Sequence, residues 1–174
     1  MERVFALCRV TKFVASAICS IGQVFADRAV VFTDSSLGLL ALLCSSLHET
    51  LVRKNASASE TRLTYTPTDA FSTLPHSSLG LGDIKPLGAD YAAQRERYCK
   101  DEDVGLTDFY NAFRDQSRTG TRLSTLRAFL ADIDRALLNT YGRTGLYPEH
   151  GFHEVASLPA NGRVRFTISE AARL

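Results

Sequence analysis

Leu37-Gly38-Leu39-Leu40-Ala41-Leu42-Leu43-Cys44 is apolar on every side. A helix of that composition has no face for water, so protein or lipid must surround it. Asp34 and Ser35 stand just before it, and their side chains can satisfy the first free N–H groups of a helix. This reading gives a helix over residues 37–54. Lipid fails on length: the uncharged stretch 35–47 has 13 residues, against about 20 needed to span a bilayer. Extension towards the N-terminus brings in Asp34, then Arg28 and Asp27, each costly at a bilayer centre. Burial against other helices is expected, and a membrane span is not.

Towards the N-terminus, Val4, Leu7, Cys8, Val14, Ala15, Ile18, Ile21 and Phe25 recur close to every 3.6 residues, while Arg3, Arg9, Lys12, Ser16, Ser20 and Gln23 fall largely opposite. The spacing predicts a helix over residues 3–26, its apolar face widened by Phe5, Val10 and Phe13. Residues 1–54 then form an apolar helical pair. Its surface exceeds what the polar segment after it can cover, so it is expected to dock on another chain or lie on a membrane surface. The docking residues expected are Val4, Leu7, Val14, Ile18, Phe25, Leu39, Leu40 and Leu43. Val24-Phe25-Ala26 also obeys the small-residue rule for signal cleavage before Asp27, and the basic, acid-poor start suits an organelle presequence. The periodicity favours a structural element.

Residues 55–87 match no period. Ten Ser or Thr lie between Ser57 and Ser78, with Pro67, Pro75, Pro86, Gly80 and Gly82 among them. The expectation is a long irregular connector draped over a surface. Beyond it, charge becomes dense and balanced: residues 88–142 hold eight Lys or Arg and nine Asp or Glu. That pattern describes a solvated, ion-paired helical face rather than a phosphate-backbone stripe, and with a net charge of +1 no nucleic-acid partner is expected. Leu106, Phe109, Tyr110 and Phe113 stand at helical spacing. Leu123, Leu126, Leu130, Ile133 and Leu137 alternate three- and four-residue steps, a heptad-like seam. In the tail, Val164, Phe166 and Ile168 alternate with Arg163, Arg165 and Thr167 after Asn161-Gly162, which predicts a small β-hairpin. The fold class expected is therefore mainly α: residues 1–54 an apolar helical arm, 55–87 a connector, and 88–174 a helical hairpin or bundle with a C-terminal β-hairpin.

Chemistry is harder to place. Cys8, Cys19, Cys44 and Cys99 are separated by 11, 25 and 55 residues, which fits neither a metal knuckle nor a tight disulfide framework. Reduced thiols in a cytoplasmic or organellar (mitochondrial) compartment are expected over secretion. The sequon Asn55-Ala56-Ser57 matters only in a secreted chain. Sixteen Arg stand against four Lys, an excess that suits bidentate pairs and interfaces but also follows from base composition. Asp115, Ser117, Thr119 and Gly120 take the first loop positions of a calcium hand, but Arg122 and Leu126 stand where an apolar residue and a bidentate Glu belong. Glu149-His150-Gly151-Phe152-His153-Glu154 gathers two imidazoles and two carboxylates, so His150, His153 and Glu154 are the metal-ligand candidates. Pro148 and Gly151 work against the helix that a zinc motif of this kind uses. No cofactor is expected. The function expected is a non-catalytic accessory or structural subunit bound to other protein subunits through its N-terminal helices and connector. The alternative is a small metal-dependent enzyme using His150 and His153.

Overall fold

Residues 3–26 are strands, not the expected helix. The computed structural model describes residues 3–55, 58, 59, 62–74, 80–156, 158, 160 and 162–173. The chain opens with β1 (Arg3–Cys8), β2 (Val10–Thr11), β3 (Ala17–Ser20) and β4 (Ala29–Phe32). β1 lies in the middle of a three-stranded antiparallel sheet, between β3 and β4. Its run Val4-Phe5-Ala6-Leu7 is buried throughout, because both faces of this strand are covered. A doubly covered strand shows no alternation, and its unbroken apolar run fits a helical period as easily as an extended one. The register sets Phe5 opposite Ile18 on one side and Phe32 on the other.

The helix expected over residues 37–54 is broken into α1 (Leu37–Cys44) and α2 (Ser46–Asn55) by Ser45, whose backbone is extended. One hydroxyl serves both ends. Ser45 Oγ donates to Leu42 O at 2.7 Å, closing α1, and accepts from His48 N at 3.0 Å, capping α2.

The connector is not irregular throughout. It contains β5 (Ala58–Ser59), β6 (Arg62–Thr64) and α3 (Pro67–Ala70), and β6 pairs with β2 on one side and β5 on the other. Just after β6, Tyr65 is fully buried. Of the sequon only Asn55 is described, and its side chain donates to Asp69 O at 2.9 Å. Residues 75–79 lie outside the described residues.

The rest of the chain is α4 (Lys85–Asp101), α5 (Leu106–Arg114), α6 (Thr121–Thr140), β7 (Gly151–Glu154), β8 (Val164–Thr167) and α7 (Glu170–Arg173). α5 buries Phe109, Tyr110 and Phe113, and α6 buries all five residues of its seam. β7 and β8 pair antiparallel with Phe152 opposite Phe166. Pro159 and Asn161, part of the turn expected from sequence, lie outside the described residues. The described residues form seven helices and eight short strands, the strands in three small antiparallel sheets. The mainly α class is corrected accordingly: strands build the N-terminal segment and part of the connector, so a helix count alone does not describe this fold.

One core joins the segments. It runs from Phe5, Leu7 and Val30 of the sheet through α1 to Phe113, Leu130, Ile133 and Phe166. α1 packs on α4, α2 and α6. Buried arginines fasten the edges of this core. Arg127 donates to the carbonyls of Phe113, Ala112, Asp115 and Arg118, satisfying the end of α5 and the loop after it. Asp115 Oδ1 accepts from Ser117 N and Oγ, both at 2.8 Å, so the residues resembling the start of a calcium loop form a closed turn. Arg95 of α4 reaches Ser16 O at 2.8 Å and Tyr110 Oη at 3.2 Å.

Backbone proximity fixes how α1 meets its neighbours. A Cβ at Gly88 would lie 2.0 Å from Leu37 O, and one at Gly38 would lie 2.1 Å from Leu81 O. Neither oxygen belongs to a flexible side chain that could swing aside. In an ordinary helix interior Gly→Ala is stabilising by about 0.5–1 kcal/mol. Here the sign reverses, and Gly88→Ala should destabilise by about 1–3 kcal/mol through overpacking. Equilibrium urea unfolding measures this; a neutral or stabilised Gly88→Ala variant would show that α1 and α4 are not in backbone contact.

Candidate functional site

The residues nominated from sequence separate in space. Val4, Leu7, Val14, Leu39, Leu40 and Leu43 are buried inside the chain itself. The apolar surface expected to seek a partner is thus covered largely from within, by elements the sequence reading had placed in another segment. Ile18 is 39% exposed and Phe25 is half-buried. Ile18, with Ile21 at 51% exposure and the wholly exposed Val24, follows β3 into the loop before β4. β3 pairs with β1 alone, so its other edge is free of strands among the described residues.

His150 and His153 serve different contacts. His150 Nε2 donates to Asp134 Oδ2 at 2.7 Å, and the ring stacks on Phe166. Asp134 is fully buried on α6, and its other oxygen accepts from Ser46 N at 2.9 Å. The three residues therefore tie the segment before β7 to α6 and to the start of α2. His153 Nε2 donates to Glu149 O at 2.6 Å, and Glu154 faces Arg163 at 3.4 Å. Among the described residues no three His, Cys, Asp or Glu side chains stand close enough to hold a metal ion.

A further histidine lies outside that cluster. His48 is fully buried on α2, with Nδ1 donating to Leu43 O at 3.0 Å and Nε2 accepting from Tyr65 Oη at 3.0 Å. The neutral form satisfies both ring nitrogens. Burial pushes its pKa down to about 4, against the opposing pull of the Leu43 carbonyl and Glu49.

Beside it lies the most highly charged part of the interior. Glu49 Oε1 accepts from Arg53 Nε at 2.9 Å, Arg53 Nη2 at 2.8 Å and Arg165 Nη1 at 3.4 Å. Its Oε2 accepts from Arg114 Nη2. Burial alone would raise the Glu49 carboxyl, but Arg114, Arg165 and Arg53 together outweigh it and hold the group well below the usual carboxylate range. Arg114 also donates to Phe166 O, so α5, α2 and β8 meet here. Burial pushes Arg165 down to about 9: Glu49 pulls it up, while the cations Arg114, Arg53 and Arg173 add to the fall. Against this cluster opens a pocket of about 350 Å³ between α2, β8 and α7, walled in part by Arg53, Lys54, Arg165 and Arg173.

Sequence reasoning missed this cluster. Glu49 and Arg53 stand at i, i+4, a visible helix pair, but Arg114 and Arg165 arrive from 65 and 116 residues away. The one signal available was the Arg excess. Comparison with protein-family models, with curated proteins and with solved structures finds no match.

The His48 geometry has a defined pH signature. A pKa lowered on folding contributes stability above the unfolded value of 6.5, and that stability is lost as pH falls towards 4. Between pH 7 and about 4.2 the wild type should lose about 2–3 kcal/mol more than His48→Gln does. Glu49, also depressed, adds its own loss below about 4.5, common to both proteins. Urea unfolding at the two pH values checks this; equal losses would contradict a buried neutral imidazole.

Proposed function

We propose that the chain is a non-catalytic accessory subunit of a larger protein assembly, docked through the free edge of β3. The observation carrying this reading is the exposed succession Ile18, Ile21 and Val24 beside a strand with one unpaired side. A free strand edge presents N–H and C=O groups to any extended chain, and adjacent apolar side chains add burial to the pairing. The partner that fits is an extended segment of another subunit, apolar at alternate positions. This surface replaces the helical face expected from sequence. A protein surface supports the reading better than a bilayer span, since no helix among the described residues is long and apolar enough to cross a membrane.

Ile21→Lys combined with Val24→Lys tests the proposal. Both sites are exposed, so folding stability should stay within about 0.5 kcal/mol of wild type. Co-purification of the assembly from the native source should be lost. Full recovery of the same partners with the double variant, or elution of the native protein as a free monomer, would contradict it.

A further inference from the structure

The pocket between α2, β8 and α7 holds more positive charge than its own residues neutralise. Arg53, Lys54, Arg165 and Arg173 stand in its wall against a single carboxylate, Glu49. That carboxylate is already fully engaged: Oε1 by Arg53 and Arg165, and Oε2 by Arg114. Of these cations Arg165 is buried and Arg53 nearly so, while Lys54 is exposed and Arg173 half-buried, so an anion entering the pocket would meet two cations held largely out of water and two at its rim.

Donors are left for such an anion. Arg165 is only 5% exposed. Its Nη1 reaches Glu49, and its Nη2 takes no protein partner among the described residues. Arg53 uses Nε and Nη2 on Glu49 and Nη2 again on Lys12 O, leaving Nη1. Arg173 uses Nη2 on Glu154 O, leaving Nη1 and Nε. Glu49 holds the Arg53 and Arg165 forks, and planar guanidinium forks held in place pair bidentately with phosphate oxygens, which a spherical anion cannot reproduce. Thr50 and Thr167 stand in the same wall.

We propose that this pocket binds a small soluble phosphate compound, its phosphate seated among Arg53, Arg165 and Arg173 with Lys54 alongside. The volume of about 350 Å³ accepts a phosphate with a compact organic part, at the lower end of the range for small-molecule sites. The site is separate from the β3 edge and stands whether or not that edge docks a partner.

Titration calorimetry and thermal unfolding of the full chain with inorganic phosphate, then pyrophosphate, test the proposal at ionic strength held constant with sodium chloride. Saturable binding is expected, with a rise in unfolding temperature beyond that given by chloride alone. Lys54→Gln with Arg173→Gln should weaken phosphate binding at least tenfold while still unfolding in one cooperative transition without phosphate. Arg122→Gln, on a distant exposed pair with Asp101, should bind as the wild type does. Stabilisation no greater than that of chloride, or equal affinity in the double variant, would overturn the proposal. Sedimentation with phosphatidic acid vesicles, without any response to soluble phosphate, would overturn it in favour of a lipid surface.

Discussion

Every residue of α1 from Gly38 to Cys44 is buried, and a helix apolar on all sides must be enclosed by other elements. Its four buried leucines each contribute about 1.5–3 kcal/mol of burial, so this short helix concentrates much of the apolar drive of the chain. The enclosure comes from α4, α2 and α6, and the sheet residues Phe5 and Leu7 belong to the same core. Gly38 and Gly88 let neighbouring backbones approach α1 more closely than any Cβ would permit. The enclosed helix also directs the charged site. Ser45 ends α1 and caps α2, His48 folds back onto Leu43 O, and Glu49 is thereby set on the side where Arg114 and Arg165 arrive.

Buried arginines recur through the structure under different neutralising arrangements. Arg127 lies among backbone carbonyls, whose dipoles serve it in place of a counterion. Arg95 lies against a carbonyl, a tyrosine hydroxyl and a cysteine sulfur, with its plane near the Tyr91 ring. Arg114 and Arg165 share one carboxylate with Arg53. A planar fork of five donors can meet several acceptors at once, which an ammonium cannot do with the same geometry. Arg in place of Lys at these four buried positions follows from that. At the Glu49 site three cations converge on one carboxylate, whereas Arg127 and Arg95 each meet neutral acceptors alone.

Legibility in the sequence followed locality. α5 and α6 could be read because Phe109, Phe113, Leu130 and Ile133 report a helical period over whole turns on one covered face. The all-apolar composition of residues 37–44 announced a buried helix, though the break at Ser45 was hidden in an apparent continuation. Residues 3–26 misled because a 3.6-residue period was fitted across three short strands and the turns between them. The run Val4-Phe5-Ala6-Leu7, with its aromatic and β-branched residues, is the mark of a strand covered on both faces, and Phe5 is one of the three residues that widen the supposed helical stripe. The arginine site stayed invisible for a different reason: its members lie on α2, α5, β8 and α7, and only the tertiary fold brings them together. His150, nominated for chemistry, is tied to Asp134, which is fully buried on α6.

The central claim is that α1 is enclosed by elements from both ends of the chain, so that it cannot open without them. Native-state hydrogen exchange of the backbone amides measures this directly. The account predicts that amides of α1 and of the buried middle of α6 exchange with one shared opening free energy, equal to that of global unfolding. Exchange of α1 through a lower-energy opening while α6 stays protected would contradict it, and would make the N-terminal segment a separable unit.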